Sequence, residues 1–523
     1  MQKISTFILI GILLVAAFFR LWQLNTLPPG LHPDEAANGL DIIRMIDNHD
    51  FRVFYNTNGP REALFFYLQG IFVAFGVFFP IPGLGFTQLA LRLAPAILGI
   101  LTVFGLYLLV KQWLGKNAAL IASFLLAVSS WHVQFSRNGF RAIMVPFILV
   151  FLFYFLTKAL REKRPIYFVA TGVFFALGFY TYLSYLMIVP IAFFFLIYLL
   201  LFYRSQLWVF LKENWRNIVL GIAAAILIYL PMGLYFAKHP GDFLARSAGT
   251  SILNPELGSP IQLLLENTAK ALFMFTNAGD ENYRHNLGGS PMLDPMVGIF
   301  SAVGIFIALL RIKKPEYFFL LLWFGFMLAP TILTGEGIPH ALRAVGTIPV
   351  MYIFAVLAIQ PLHRYLHKKI PARKIANVFL IFILIFSAAY GYMKYFVVWA
   401  KDPATYRAYD ADIASMAAFL NTIPKDIQKY ALILGYSNHS LAFLTHDHKD
   451  HRIQGLYGIS GNYYVIDHAE NLNKIAILPS TKYIFVIQET LSKEARPILE
   501  NRFPDGQFAA KDGFFYYSNA ISN

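Results

Sequence analysis

The feature that most constrains this chain is a recurrence of long apolar runs. The first opens at residue 1, MQKISTFILIGILLVAAFFRLW, and ten more lie near 90–110, 117–135, 143–160, 166–182, 185–203, 217–236, 294–310, 316–333, 344–362 and 376–397. Each is close to the ~20 residues that a helix needs to cross a hydrocarbon core. Composition agrees. Hydrophobic residues make up 57% of the 523 and charged residues 14%, with 51 phenylalanines, more apolar surface than a water-soluble globule hides. The expected fold is an all-α polytopic membrane domain of about eleven transmembrane helices. No small-residue cleavage site follows the first run, so it reads as an uncleaved span. With no cysteine, disulfides, thiolate metal sites and cysteine nucleophiles are excluded.

The net charge of +14 would point a soluble chain toward nucleic acid. Here it reports membrane sidedness, and no nucleic-acid partner is expected. With eleven spans, the basic connections near 111–116, 158–164, 204–216, 311–314 and 364–374 share a side with Lys3. The short opposite connections hold only Arg137, Arg141 and Arg343. That asymmetry predicts a cytoplasmic N-terminus in a bacterial-type plasma membrane. One more apolar stretch, ALFFYLQGIFVAFGVFFP at 63–80, would put every later basic loop outside if it crossed. It is therefore expected to be an interfacial or half-inserted helix on the outer face.

This topology leaves two long outer connections, 25–89 and 237–293, within a membrane domain spanning 1–397. The more polar segment 398–523 follows as an extracytoplasmic domain. Its pattern reads helix (DADIASMAAFLNTIP), strand (KYALILG), a mixed segment, strand (KYIFVIQ), helix (SKEARPILENRF) and a short aromatic strand (GFFYYSN), a small α/β domain.

Ionisable residues at the outer surface carry the functional information, because a charge inside the bilayer costs about 2.5–3.5 kcal/mol on insertion scales. After the first span comes LPPGLHPDEAANGLDIIRMI, with His32, Asp34 and Glu35 before an amphipathic run. Asp34 reads equally as a helix N-cap and as a working carboxylate favoured in ionised form by the helix dipole. Arg61 and Glu62 stand at the entrance to the interfacial helix. Arg137 and Arg141, one helical turn apart, can face one pocket. The fifth span ends in GFYTYLSY, which holds Tyr182, and TGEGIPHALRAVGTIP places His340 and Arg343 at the lip of the tenth. Arginines at several helix ends suit a phosphate-bearing lipid, since guanidinium offers phosphate a bidentate fork. For Arg92 the ordinary expectation is snorkelling to a lipid headgroup. The connection 237–293, with Asp280, Glu281, Tyr283 and Arg284, is expected to cap the cavity or contact the acceptor.

At these residues the chain resembles the GT-C superfamily of membrane glycosyltransferases, in the bacterial branch related to protein O-mannosyltransferases and the lipid A aminoarabinose transferase. HPDEAANG, GPREALFFY, LALRLAPAILGILTVFGLYLL, FSRNGFRAIMVPF, FFALGFYTYLSY and PHALRAVGTIP carry the resemblance in order across most of 1–397, and 398–523 carries none of it. The resemblance implies a polyprenyl-phosphate-linked sugar donor, a lipid, glycan or protein acceptor, and inverting transfer on the extracytoplasmic side. By motif position it makes Asp34 the base, with Glu35 beside it. Arg343, then Arg137 and Arg141, with His340 in support, would hold the donor phosphate. His32, Arg61, Glu62 and Tyr182 would contact substrate. Several relatives place an acidic residue after the SR of the second outer connection, whereas this chain reads SRNGFRAIM. No metal is therefore assigned, and a divalent ion stays open as the one candidate cofactor.

Two other function classes compete. A transporter or flippase of lipid-linked saccharides needs charges near the bilayer midplane and interrupted spans; here the charges cluster at one surface. An O-antigen polymerase or ligase would also use outer arginines, and the Asp-Glu pair after the first span separates it. The string THDHKDH at 445–451 matches the HxHxDH zinc pattern of metallo-β-lactamase-like hydrolases. Only His468 follows it as a further ligand, so a solvated, charged loop is the ordinary reading.

Overall fold

The structure, a computed structural model, describes residues 2–79, 81–242, 252–254, 258–369, 373–446, 453–454, 460–461, 463–478 and 480–521. Its helices follow the apolar runs. Eight are long and apolar enough to cross a membrane: Ile4–Leu21, Gln88–Leu114, Arg141–Glu162, Leu183–Phe202, Arg204–Lys238, Pro315–Ile332, Val345–His367 and Lys374–Trp399. A ninth candidate is the pair Lys116–Ala127 and Ser130–Arg137, bent by 59°. Two of the expected eleven are shorter helices, Pro165–Gly178 and Pro295–Leu310. The stretch expected at the interface is a helix of 15 residues, Leu64–Phe78. At about 1.5 Å per residue it falls short of a ~30 Å hydrocarbon core. The chain is a multi-pass membrane protein with a small C-terminal sheet.

By internal contacts the chain forms two units. The first comprises Met1–Trp22, Gly59–Phe65 and Pro95–Trp399; the second comprises Gln23–Asn58, Phe66–Ala94 and Ala400–Asn523.

In the first unit, apolar helices pack around buried cations that close helix ends. The bent pair breaks at Ser129, whose hydroxyl accepts from the His132 amide and starts the second half. Arg20, fully buried on the first helix, donates to the Ala127 carbonyl (2.8 Å) at the end of the first half and contacts His132 Nδ1 at 2.7 Å. Arg137, at the end of the second half, donates to the Phe19 and Trp22 carbonyls (3.1 and 2.7 Å), which end the first helix. Each arginine thus satisfies carbonyls that the end of a neighbouring helix leaves orphaned, which is the condition for burying such ends in apolar surroundings. Helix Pro165–Gly178 meets Arg204–Lys238 at a glycine contact: a Cβ on Gly172 would lie 1.9 Å from the Gly221 carbonyl oxygen, so only glycine allows this approach.

In the second unit a five-stranded sheet is built from β1 (Gln428–Leu432), β2 (Tyr464–Ile466), β3 (Tyr483–Gln488), β4 (Gln507–Lys511) and β5 (Phe514–Ser518). The order is β2-β1-β3-β5-β4, with β1 parallel to both β2 and β3, and β5 antiparallel to β3 and β4. Alternation at period two gives each face its own core. Ala431, Ile484 and Val486 pack with helix Ala411–Thr422, while Tyr430, Leu432, Phe485 and Ile487 pack with Ala495 and Leu499 of helix Glu489–Arg502. The sequence pattern finds β1, β3, β5 and both helices. It leaves out β2, β4 and helix Asn438–Leu444.

Helix Pro33–Asp47 packs in this same unit against Asn438–Leu444. A Cβ on Gly39 would lie 2.4 Å from the Phe443 ring, and Ser440 Oγ donates to the Leu31 carbonyl at 2.7 Å. The tail therefore supports the acidic loop. His446 contacts Asp47 at 3.0 Å and meets the Phe86 ring edge-on, a structural engagement for the first histidine of the HxHxDH string. Asp447, His448, Lys449, Asp450 and His451 lie outside the described residues.

Candidate active site

The acidic motif in the second unit folds around proline. Pro33 occupies the first helical position and His32 is the N-cap, its Nδ1 accepting from the Asp34 amide at 3.0 Å. This corrects one of the two sequence readings: Asp34 is a first-turn carboxylate, and the cap is its neighbour. The two acids then diverge. Glu35 is buried and pairs with Arg92 Nη2 at 3.0 Å; Arg92, itself fully buried, also donates to the Pro28 and Gly30 carbonyls at 2.8 and 2.7 Å. Arg92 is thus a loop clamp, and the snorkelling expected from sequence does not occur. Asp34 keeps 40% of its side chain exposed. Its Oδ1 accepts from Asn58 Nδ2 at 3.0 Å and from the Tyr436 hydroxyl. A reactive carboxylate must be both reachable and held, and of the pair only Asp34 meets both conditions.

The first unit gathers four of the expected residues. Arg141 Nε lies 2.9 Å from Glu62 Oε2, with both side chains nearly buried. The Arg141 guanidinium also sits 5.7 Å from the Tyr182 ring centre. Arg343 donates to Thr334 Oγ1 (2.6 Å) and the Glu336 carbonyl (3.0 Å), and interacts through its side chain with Tyr182. Arg141 Nη2 is buried with no hydrogen-bond partner among the described residues. Burial raises the Glu62 pKa above its usual value, and Arg141 opposes that shift without cancelling it. Arg61 is buried next to Glu62 and adds positive potential there.

Arg137 does not join them. The helix ends at Arg137 and the chain runs extended through Phe140, so the single helical turn expected between Arg137 and Arg141 is absent. Arg137 closes the first helix instead and stacks on Tyr395. Asp34 belongs to the second unit and Arg343 to the first.

His340 finds company that its sequence position does not announce. It lies 4.0 Å from Asp280 Oδ2, which His285 Nδ1 approaches to 2.8 Å. Burial, then the charges of His285 and Arg343, lowers the His340 pKa to about 3, so its ring is neutral near pH 7. The segment around Asp280 is held in the first unit: Gln134 donates to the Tyr283 and Arg284 carbonyls, and Trp399 donates to Tyr283 O. Asp280 was legible only as part of a large connection. His285 and the tail residue Tyr436 carry no pattern that marks them.

Residues 65–235 match the family model described as dolichyl-phosphate-mannose-protein mannosyltransferase, about a third of the chain. No curated protein matches the chain by sequence. Its fold is shared by ArnT from Cupriavidus metallidurans, solved bound to undecaprenyl phosphate: TM-score 0.58, 14% identity, covering 99% of this chain and 98% of that one. It is shared also by the archaeal oligosaccharyltransferase AglB from Archaeoglobus fulgidus, solved with an inhibitory peptide and a dolichol-phosphate: TM-score 0.53, 16% identity, covering 99% and 74%. The family model and the common fold bear out the GT-C resemblance, including its branch related to O-mannosyltransferases and ArnT.

Proposed function

We propose that this chain is an integral-membrane glycosyltransferase that moves a sugar from a polyprenyl-phosphate donor to an acceptor on the extracytoplasmic side. The observation that carries the reading is Arg141: a buried guanidinium whose Nη2 has no hydrogen-bond partner among the described residues, against the Tyr182 ring that Arg343 also meets. A buried donor without a partner costs free energy, and a phosphate oxygen would satisfy it with a charge-assisted bond. The undecaprenyl phosphate and dolichol-phosphate bound by the two fold relatives support a ligand of this class.

In this reading Asp34 is the base. It takes the proton of the acceptor hydroxyl as that oxygen attacks the anomeric carbon, and the bond from that carbon to the phosphate oxygen breaks on the opposite face, which inverts the configuration. The leaving polyprenyl phosphate carries away negative charge, which Arg343 and Arg141 stabilise. Glu35 serves Asp34 indirectly, by fixing the loop through Arg92. Glu62 and Tyr182 orient the Arg141 and Arg343 side chains, and His32 orients the first turn. Arg137, with its donors on helix carbonyls and Tyr395, has no role in this step.

The test is donor cleavage by purified protein supplied with polyprenyl-phosphate sugars. Wild type transfers; Asp34→Asn loses about 10²–10⁴-fold, the usual worth of a positioned base, and Arg343→Ala loses a comparable amount, with both variants folded. Full activity in Asp34→Asn removes the base assignment. We place the N-terminus in the cytoplasm of a bacterial-type plasma membrane and 398–523 outside; labelling of a residue introduced in the tail from the cytoplasmic side overturns that placement.

A further inference from the structure

We propose that the helix bundle holds one anionic glycerophospholipid on the membrane face that carries the basic connections, with an acyl chain in a cavity between five spans and the phosphate against Arg161 and Arg311. The cavity has a volume of about 530 Å³, inside the ~300–1,000 Å³ range of small-molecule sites. Spans Gln88–Leu114, Arg141–Glu162, Leu183–Phe202, Pro315–Ile332 and Val345–His367 all contribute to its lining. Phe153, Leu156, Phe195, Phe319, Ile353 and Leu357 make the wall apolar. Trp113 and Thr157, which also line it, use their donors internally: Trp113 Nε1 donates to Thr157 Oγ1 at 2.9 Å, and Thr157 Oγ1 to the Phe153 carbonyl at 2.7 Å. Such a lining offers water few partners, and it suits a hydrocarbon chain.

The rim has the opposite character. Arg161, near the end of helix Met144–Glu162, and Tyr317, in the first turn of helix Pro315–Ile332, both line the cavity, and Arg311 Nη1 donates to the Tyr317 hydroxyl at 2.9 Å. Arg161 Nη1 donates to the Gln112 carbonyl at 2.7 Å, and among the described residues neither arginine pairs with a carboxylate. Lys158 and Lys163 are by contrast neutralised by Glu162 and Glu213. Glu316 is the one carboxylate in the lining; against it stand Arg161, Arg311 and the Lys313 and Lys314 of the same turn. The excess is positive, and basic pockets between spans recruit anionic headgroups. The same turn borders a second cavity of about 740 Å³, with Phe194, Tyr198, Phe202 and Phe318 in its lining. That room for a second chain favours a phospholipid over a single-chain polyprenyl phosphate. Arg141 and Arg161 stand near opposite ends of one span, about 30 Å apart at the helical rise. The site is therefore distinct from the Arg141 cluster, and the inference does not rest on the glycosyltransferase reading.

The test uses the full chain in detergent, depleted of lipid and titrated with phosphatidylglycerol or with phosphatidylcholine of the same chains, bound lipid being counted by native mass spectrometry. One phosphatidylglycerol is expected to bind roughly thirtyfold more tightly than phosphatidylcholine, the effect of two arginines on an anionic headgroup. Arg161→Ala should weaken it about fivefold. Leu156→Trp, which fills the cavity and leaves the rim intact, should lose most of the binding while the protein stays folded. Phosphatidylglycerol with brominated chains should quench Trp113, read as quenching that Trp113→Phe removes. Equal affinity for the two lipids overturns the headgroup assignment, and quenching unchanged in Trp113→Phe overturns the cavity. Undecaprenyl phosphate that displaces the phospholipid at equal concentration overturns the choice of a two-chain lipid.

Discussion

Glu35–Arg92 and Glu62–Arg141 are both carboxylate–arginine pairs held away from solvent, and they differ in what is left over. In Glu35–Arg92 the guanidinium bonds the carboxylate and two backbone carbonyls. In Glu62–Arg141 one arginine nitrogen has no hydrogen-bond partner among the described residues and the carboxylate has a raised pKa. A satisfied pair holds a loop. An unsatisfied pair stores a capacity to bind, and its cost is tolerated where function needs it. Under the proposed function, the contrast separates a structural arginine from one that binds ligand, in a molecule where sequence alone treats them alike.

The largest expected effect tests the satisfied pair. Arg92→Ala removes a buried ion pair and the bonds to two carbonyls and should cost about 3–5 kcal/mol, read as a large drop in unfolding temperature in detergent; wild-type stability in that variant would break the comparison. Arg141→Ala should cost less, about 1–2 kcal/mol, because Glu62 already leans toward its neutral form. Its donor cleavage should fall by two orders of magnitude or so. Equal losses of stability in the two variants would erase the distinction.

The half-buried carboxylate of Asp410 sharpens it from the other side. Asp410 has its pKa pushed up to about 6, by burial first and then by Asp412 against a bond to Ser437, and its Oδ2 has no partner among the described residues. A raised carboxylate pKa means stability present below the unfolded value of 3.8 and lost as pH climbs through about 6. Asp410→Asn should therefore unfold later than wild type at pH 8, by an amount on the order of 1–2 kcal/mol, and match it below pH ~4. Its helix loses nothing, since Asp410 makes no capping bond through its side chain. The smallest effect is expected at Tyr436, which donates to Asp34 from the tail. Tyr436→Phe should lower transfer by roughly tenfold, in line with the loss of one bond to a charged group, with the unfolding temperature unchanged.

Much of the fold was legible because period and charge are local signals. The apolar runs became helices, and the alternation in KYALILG and KYIFVIQ became strands whose two faces feed separate cores. Edge strand β4 escaped because QFAAK is short and mixed in character. The site was legible in its residue types and less so in its pairings. Glu62, Arg141, Tyr182 and Arg343 come together, while the Asn138-Gly139 pair in FSRNGFRA stops the helix at Arg137 and turns the two arginines to different tasks, a break that their one-turn spacing alone overlooks. Glu35 and Asp34 look equivalent in HPDEA until a distant arginine claims one of them. Contacts between residues separated by tens of positions are set by packing, which sequence spacing does not encode.

The most direct test of the account is binding of undecaprenyl phosphate to the purified protein, compared among wild type, Arg141→Lys and Arg343→Ala. Because lysine keeps the charge and loses the planar fork, Arg141→Lys should bind at least about tenfold more weakly, and Arg343→Ala more weakly still. Unchanged affinity in both variants would contradict the claim that this buried, under-bonded cluster exists to hold a lipid phosphate.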